Sequence, residues 1–213
     1  MLNDGSTPVQ IKKLYVLAAL QVEQMRKHTL QLNSAAATLA GLMELDAASA
    51  DIKDFDNAWR GAEAIHFWML AHRQLYNGQY DASLKTMLNT LKYDDILNVE
   101  EMYSFLALIS LCSKFFAQAS KALNKLESLS GTDEGPYGDI SFQVFSKNHP
   151  TDPRGLKETR TRKANEVQHI CIASGAIIAD SKYATCPTCK HALSSNYAQS
   201  LSICPLCHSF LRA

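Results

Sequence analysis

Four cysteines near the end of the chain have the spacing of a metal site. They stand in two units, Cys186-Pro187-Thr188-Cys189 and Cys204-Pro205-Leu206-Cys207, with 14 residues between them. Zinc takes a tetrahedron of thiolates at about 2.3 Å. A Cys-x-x-Cys turn places two sulfurs along one edge of that tetrahedron and turns its backbone N–H groups toward the sulfur charge. Two such knuckles at the ends of a hairpin complete the shell, and Pro after the first Cys restricts the turn. The spacing is close to that of known paired zinc ligands. Four protein ligands leave no open position for water or substrate, so one structural Zn2+ is expected and no catalytic one. A region of roughly 45 residues cannot bury enough core alone, and the metal adds folding energy on the order of 10 kcal/mol. Lys190, His191 and His208 lie beside these cysteines in sequence, where they are placed to lessen the negative charge.

Other chemistries fit less well. A redox pair needs one reactive Cys-x-x-Cys at a helix start, and two matched copies argue against it. A cross-braced RING needs eight ligands for two zincs. Cys171-Ile172-Ala173-Ser174 has the outline of a further knuckle with Ser in place of its second Cys. Too few ligands remain, so Cys171 is read as core or as the vestige of a lost site. A nucleic-acid ribbon wants clustered cations and aromatics, whereas residues 166–213 hold only Lys182, Lys190 and Arg212 as fixed cations. Elsewhere no catalytic constellation forms. His66 and His72 are read as packing or surface residues. Trp59, Phe67, Trp68 and Tyr76 are read as helical core rather than a ligand box.

The elements that must position the knuckles are mostly helices. Thr7-Pro8-Val9-Gln10 combines a hydroxyl cap, Pro at the first helical position and Gln at the third. Behind it Ile11, Leu14, Ala18, Val22 and Met25 recur at helical spacing. A second helix is expected within 35–45, an acidic loop over 46–57, and a long helix from 58 to 76 that ends at Asn77-Gly78. Further helices are expected over 80–91, after the cap at Asn98 with its stripe Met102, Phe105, Leu106, Ile109 and Cys112, along Phe116, Ala119, Leu123 and Leu126, and over 137–145. The turn Leu75-Tyr76-Asn77-Gly78-Gln79-Tyr80-Asp81 resembles a tetratricopeptide corner, and Ser113 to Ala119 repeats it without the Gly. Tyr80 and Phe116 lie 36 residues apart, near the 34-residue period of that repeat. From Val167 short β-leaning runs follow: Ile170–Ile172, Ala176–Ile178 and Leu201–Ile203.

The predicted fold is therefore mostly α. It is a TPR-like antiparallel helical repeat, or solenoid, over 1–148, then a linker over 149–165, then a small β-rich zinc-ribbon or degenerate RING-like module over 166–213. The linker region 147–163 carries six basic residues against two acidic ones, too few for a nucleic-acid patch. Over the whole chain of 213 residues, Lys+Arg and Asp+Glu balance at 21 each, so no general electrostatic footprint for nucleic acid or anionic membrane exists. No apolar run is long enough to cross a bilayer, and the N-terminus lacks the pattern of a signal peptide. Clustered cysteines fit a reducing, cytoplasmic compartment.

The string Ala58-Trp59-Arg60-Gly61-Ala62-Glu63-Ala64, with His66-Phe67, Leu70-Ala71 and Arg73-Gln74-Leu75-Tyr76, resembles the C-terminal region of the WD-repeat-containing protein 35 family. That family is a core component of intraflagellar transport complex A. Lys121-Ala122-Leu123, Lys125 to Leu129, Cys189-Lys190-His191 and Cys204 to Ser209 are similar to it as well. The resemblance implies two β-propellers and a long TPR-like solenoid ahead of this segment in the full family chain. It implies a non-enzymatic scaffold acting in retrograde ciliary transport and in the import of membrane cargo, the membrane being met only indirectly. Its partners would be other complex-A subunits bound through the solenoid, and its location the cytoplasm, the cilium or flagellum and the ciliary base. The alternative is a vesicle-tethering or ubiquitin-ligase-type subunit, since some of these also end a helical solenoid in a RING-like zinc module.

Overall fold

The computed structural model describes residues 7–35, 59–130, 136–152, 169–178 and 183–211. The expected helix at 35–45, the acidic loop at 46–57 and most of the linker lie outside the described residues. The chain forms two compact units. One takes in Met1–His66, Cys186–Lys190 and Ser202–Ala213; the other takes in Phe67–Thr185 and His191–Leu201.

In the first unit, helix α1 spans Pro8–Ala35. Its start is the expected reciprocal cap. Thr7 N donates to Gln10 Oε1 at 2.8 Å, and Gln10 N reaches Thr7 Oγ1 at 3.4 Å. The buried stripe is not the one expected from the apolar residues. Leu14, Leu17 and Met25 are 61–65% exposed, while Lys12, Val16, Ala19 and Glu23 are buried. The four buried positions still recur at three- and four-residue steps, but a lysine and a glutamate stand at the two ends. Helix α2 covers residues 59–76. It meets α1 at Gly61, where a Cβ would run into the Tyr15 ring. Trp59, Ala62, Ala64 and Ile65 are buried on its first half.

The second unit is an antiparallel helical repeat. It continues α2 and adds α3 (Tyr80–Thr90), a single 3-10 turn (Leu91–Tyr93), α4 (Val99–Cys112), α5 (Phe116–Ser130) and α6 (Pro136–Phe145). Its core joins Ala71, Leu84, Met87, Met102, Phe105, Ile109, Leu123 and Leu126. Phe67 is fully buried, and Trp68 packs against this core. Tyr76 is 85% exposed and does not belong to the core expected for it, because it falls in the last turn of α2, one residue before the corner. Cys112 is also exposed and marks the end of the α4 stripe. Asn98 caps α4 through its side chain, accepting from Glu100 N at 2.9 Å and Glu101 N at 3.2 Å. Asp152 Oδ1 accepts from Ala117 N at 2.9 Å, which satisfies an orphan donor in the first turn of α5.

The two expected corners share one backbone geometry. After α2, Gly78 N bonds Leu75 O and Gln79 N bonds Gln74 O. After α4, Lys114 N bonds Leu111 O and Phe115 N bonds Ser110 O. Both are Schellman caps, with Gly78 at φ 72° and Lys114 at φ 60°. The second corner has the left-handed residue although lysine stands in place of glycine. Ser83 and Ala119, the small positions one helical turn past each corner, are both fully buried, and Ser83 Oγ donates to Ala71 O of the facing helix at 2.7 Å.

After α6, strands β1 (Tyr183–Thr185) and β2 (Ala192–Ser194) pair antiparallel with Ala184 opposite Leu193, and α7 (Ser195–Ser200) follows. The runs at 170–172, 176–178 and 201–203 are not strands. They are arms of tight turns that carry single bridges, Ile170 opposite Ile177 and Ile203 opposite Phe210.

Candidate metal centre

The Cys186–Cys189 knuckle occupies the turn between β1 and β2. Lys190 N bonds back to Cys186 O at 3.0 Å, and Lys190 takes φ 61°. The second knuckle is built alike. His208 N bonds Cys204 O at 2.9 Å, His208 takes φ 59°, and Cys204 N bonds Ser209 O at 2.8 Å. In each case the residue after the second Cys must be left-handed to reverse the chain.

All four cysteines are buried, and their sulfurs lie within 4.8 Å of one another. Cys186 Sγ is 3.6 Å from Cys207 Sγ, and Cys189 Sγ is 3.7 Å from Cys204 Sγ. Tetrahedral zinc with thiolates at about 2.3 Å requires sulfurs about 3.8 Å apart. The separations are too long for disulfides, whose sulfurs sit about 2.0 Å apart. The site therefore fits a zinc ion with four sulfur ligands and nothing else in the shell. Among the described residues no other group of three or more His, Cys, Asp or Glu converges in this way. The crowding of thiols also splits their acidities. Hydrogen bonds from Cys189, then Cys204 and Cys207, hold Cys186 far below the ordinary thiol value, and sharing with Cys186 pushes Cys189 far up.

Two neighbours of the cluster carry no signal in the sequence. Ser209 Oγ lies 3.0 Å from Cys207 Sγ and 3.6 Å from Cys186 Sγ, placed to donate to thiolate charge. Lys12, from α1, donates from Nζ to Pro205 O at 2.7 Å and stands 3.4 Å from His208 Nε2. Lys190 Nζ instead turns back to Pro187 O at 2.7 Å. His208 is held below its ordinary pKa by burial, then by Lys12 and Lys13.

Cys171 belongs to a third knuckle. Gly175 N bonds Cys171 O, Cys171 N bonds Ala176 O, and Ile178 N bonds His169 O, all at 2.8 Å. The same three bonds recur in the Cys204 knuckle: His208 N to Cys204 O, Cys204 N to Ser209 O and Leu211 N to Ser202 O. Gly175 takes φ 70° where His208 takes 59°. Ser174 thus stands where Cys207 would. Ser194 N donates to Cys171 Sγ at 3.4 Å, and Ser194 Oγ lies 3.7 Å from that sulfur. Burial raises the Cys171 pKa, but the Ser194 N–H, the Ser174 hydroxyl and the N–H groups of Ala173 and Ser174 together bring it below the ordinary value.

This third knuckle is seated on helices of its own unit by a polar relay. Thr86 Oγ1 donates to Gln74 Oε1 at 2.8 Å, and Gln74 Nε2 donates to Ser174 O at 2.9 Å. Asn89 Nδ2 donates to Gly175 O at 3.0 Å. Gln74 and Thr86 are both buried, so each polar atom in the relay needs the next. His72 plays a different part. It donates from Nδ1 to Trp68 O at 2.9 Å and stacks on Phe105 with centroids 3.9 Å apart, which is a packing role.

Comparison with known families agrees with both halves. Residues 56–152 match a family model described as IFT121-like, TPR repeats, and residues 169–212 match one described as IFT121, second zinc finger domain. The two matches together cover about two thirds of the chain. WD repeat-containing protein 35 of Rattus norvegicus is 39% identical over 215 residues, or 95% of this chain. The Mus musculus protein of that name gives the same figures, and that of Homo sapiens is 38% identical over 218 residues, or 96% of this chain. The chain spans 18% of the length of these relatives. It carries a TPR-type helical repeat followed by a structural zinc-binding module, and it belongs to the IFT121-like family.

Proposed function

We propose that this chain is the C-terminal scaffold segment of an intraflagellar transport complex A subunit. Cys186, Cys189, Cys204 and Cys207 are the ligands of its one structural zinc. The observation that carries this reading is the family's TPR repeat and zinc finger in series, with four buried sulfurs at the spacing of a closed tetrahedron. A saturated shell offers no position to a substrate, so the segment acts by binding rather than catalysis. Residues 1–148 present the binding surface, 149–165 connect, and 166–213 form the zinc module. Stacked helix pairs expose more continuous surface than a short zinc turn does. Other complex-A subunits dock there, without nucleic acid, and cargo at the membrane is reached through them. The setting is the cytoplasm, the ciliary base and the cilium, and the work is retrograde transport and cargo import. No helix among the described residues is long and apolar enough to cross a membrane.

The test is co-purification of complex-A subunits with the full chain expressed in ciliated cells. Asp at the exposed helical positions Leu17 and Leu108 is expected to lower recovery severalfold, and Asp at the exposed zinc-module residue Tyr197 is expected to leave it unchanged. Loss with the Tyr197 variant alone would make the zinc module the recognition element. Two tightly held zincs per chain, with recovery of vesicle-tethering or ubiquitin-conjugating partners instead, would favour the RING-like alternative.

A further inference from the structure

We propose that Lys12 is a positioning residue of the zinc centre: its buried ammonium clamps the Cys204–His208 knuckle to α1 and balances the charge of the metal-bound thiolates. The inference rests on the reading that the four cysteines hold zinc. Lys12 is only 7% exposed, on the stripe of α1 that also buries Val16 and Ala19. A lysine at such a position is costly unless its charge is compensated, by several kcal/mol in typical proteins. The knuckle contributes to that compensation. Nζ donates to Pro205 O at 2.7 Å and meets His208 Nε2 at 3.4 Å. Pro205 lies between the ligands Cys204 and Cys207. A knuckle turns its N–H groups toward sulfur, which leaves the Pro205 carbonyl free to accept.

Four thiolates around Zn2+ carry a net charge of two minus, and zinc, by ligating both ends of the Cys204–Cys207 turn, fixes the Pro205 carbonyl between them. The ammonium is therefore better held beside the loaded site than beside the empty one. Linkage makes the effect reciprocal. Zinc tightens the seat of α1 on the knuckle, and the seated lysine tightens zinc. The contact joins residues 193 positions apart in the sequence, so the metal organises α1 as well as the turns that ligate it.

The experiment is zinc competition against a chromophoric chelator, on the full chain, together with hydrogen exchange of the α1 amides. Lys12→Met should still bind one zinc but about 10–100-fold more weakly, the usual effect of losing an outer-sphere partner. Lys12→Arg should recover most of the affinity. Val16→Ala removes packing from the same helix face without touching charge; it should lower the unfolding midpoint yet keep zinc affinity within about twofold of wild type. Zinc removal should raise exchange around Lys12 in the wild type. Wild-type affinity in Lys12→Met overturns the proposal, and so does an equal loss in Val16→Ala, which would make the effect one of helix packing. Should Lys12→Met not fold, Lys12→Gln, which keeps an N–H donor, must show the same weakening. A wild-type chain that takes up no zinc would sink the parent reading too, whereas normal uptake with an indifferent Lys12 sinks this one alone.

Discussion

Substituting Gly175 by Ala should be among the most damaging single-methyl changes in the chain. Two costs add. Gly175 sits at φ 70°, where a Cβ crowds the backbone by about 1–2 kcal/mol. The added Cβ would also run into Thr86 Oγ1 and stand 2.8 Å from Thr86 Cγ2. Thr86 cannot swing away easily. It is fully buried, its branched side chain is stiff, and its hydroxyl holds Gln74, which in turn holds the Ser174 carbonyl. Breaking one buried link of that relay costs about 1–3 kcal/mol. Reduced freedom of the unfolded chain gives back about 0.4–1 kcal/mol. The expected net loss is about 2–4 kcal/mol. Gly78 is the matched control. It has φ 72° but nothing within 4 Å of its would-be Cβ, so Gly78→Ala should cost only about 1 kcal/mol. Urea unfolding of zinc-loaded protein, followed by circular dichroism, reads both. Thr86→Ala combined with Gly175→Ala should show a coupling of more than about 1 kcal/mol. Equal losses at the two glycines, or simple additivity with Thr86→Ala, would refute the claim that the third knuckle is keyed into the helices.

Two further outcomes follow from the same geometry. Elemental analysis should find one zinc per chain. Cys171→Ser should leave that count unchanged and Cys186→Ser should abolish tight binding, because Ser174 and Ser194, not thiolates, surround Cys171; loss of the zinc in Cys171→Ser would give the third knuckle a share in the metal. Lys114→Gly should stabilise the chain by about 1 kcal/mol, since Lys114 holds φ 60° where Gly is relaxed, and a lowered urea midpoint would mean that its side chain contributes contacts outweighing the strain.

What could be read in the sequence was mostly local. The convergence of the four cysteines was legible because each pair lies within one turn. The caps at Thr7 and Asn98 were legible because donor and acceptor sit within three residues. The helix corner at Gly78 was legible through its glycine. Lys114 makes the same corner without a glycine, so only its place 36 residues downstream of Gly78 betrays it.

The phase of α1 failed for the opposite reason. Apolar periodicity selects Ile11, Leu14, Ala18, Val22 and Met25, and a reader who counts apolar residues must bury that face. The chain buries Lys12 and Glu23 instead. The Cys204 knuckle supplies Lys12 with an acceptor from the far end of the chain, and no local pattern announces that. The third knuckle shows the same logic from the other side. A count of ligands treats Ser174 as a loss, yet all three backbone bonds of a zinc knuckle persist around Cys171. Hydroxyl and amide hydrogen bonds close around the sulfur where a metal would have been, and the carbonyls of Ser174 and Gly175 become acceptors for Gln74 and Asn89. Where one knuckle carries both of its cysteines and receives Lys12, its counterpart with Ser174 in the second place is held by the polar relay from α2 and α3. In both turns it is backbone carbonyls that the helices grip: Pro205 O takes Lys12, and the O atoms of Ser174 and Gly175 take Gln74 and Asn89.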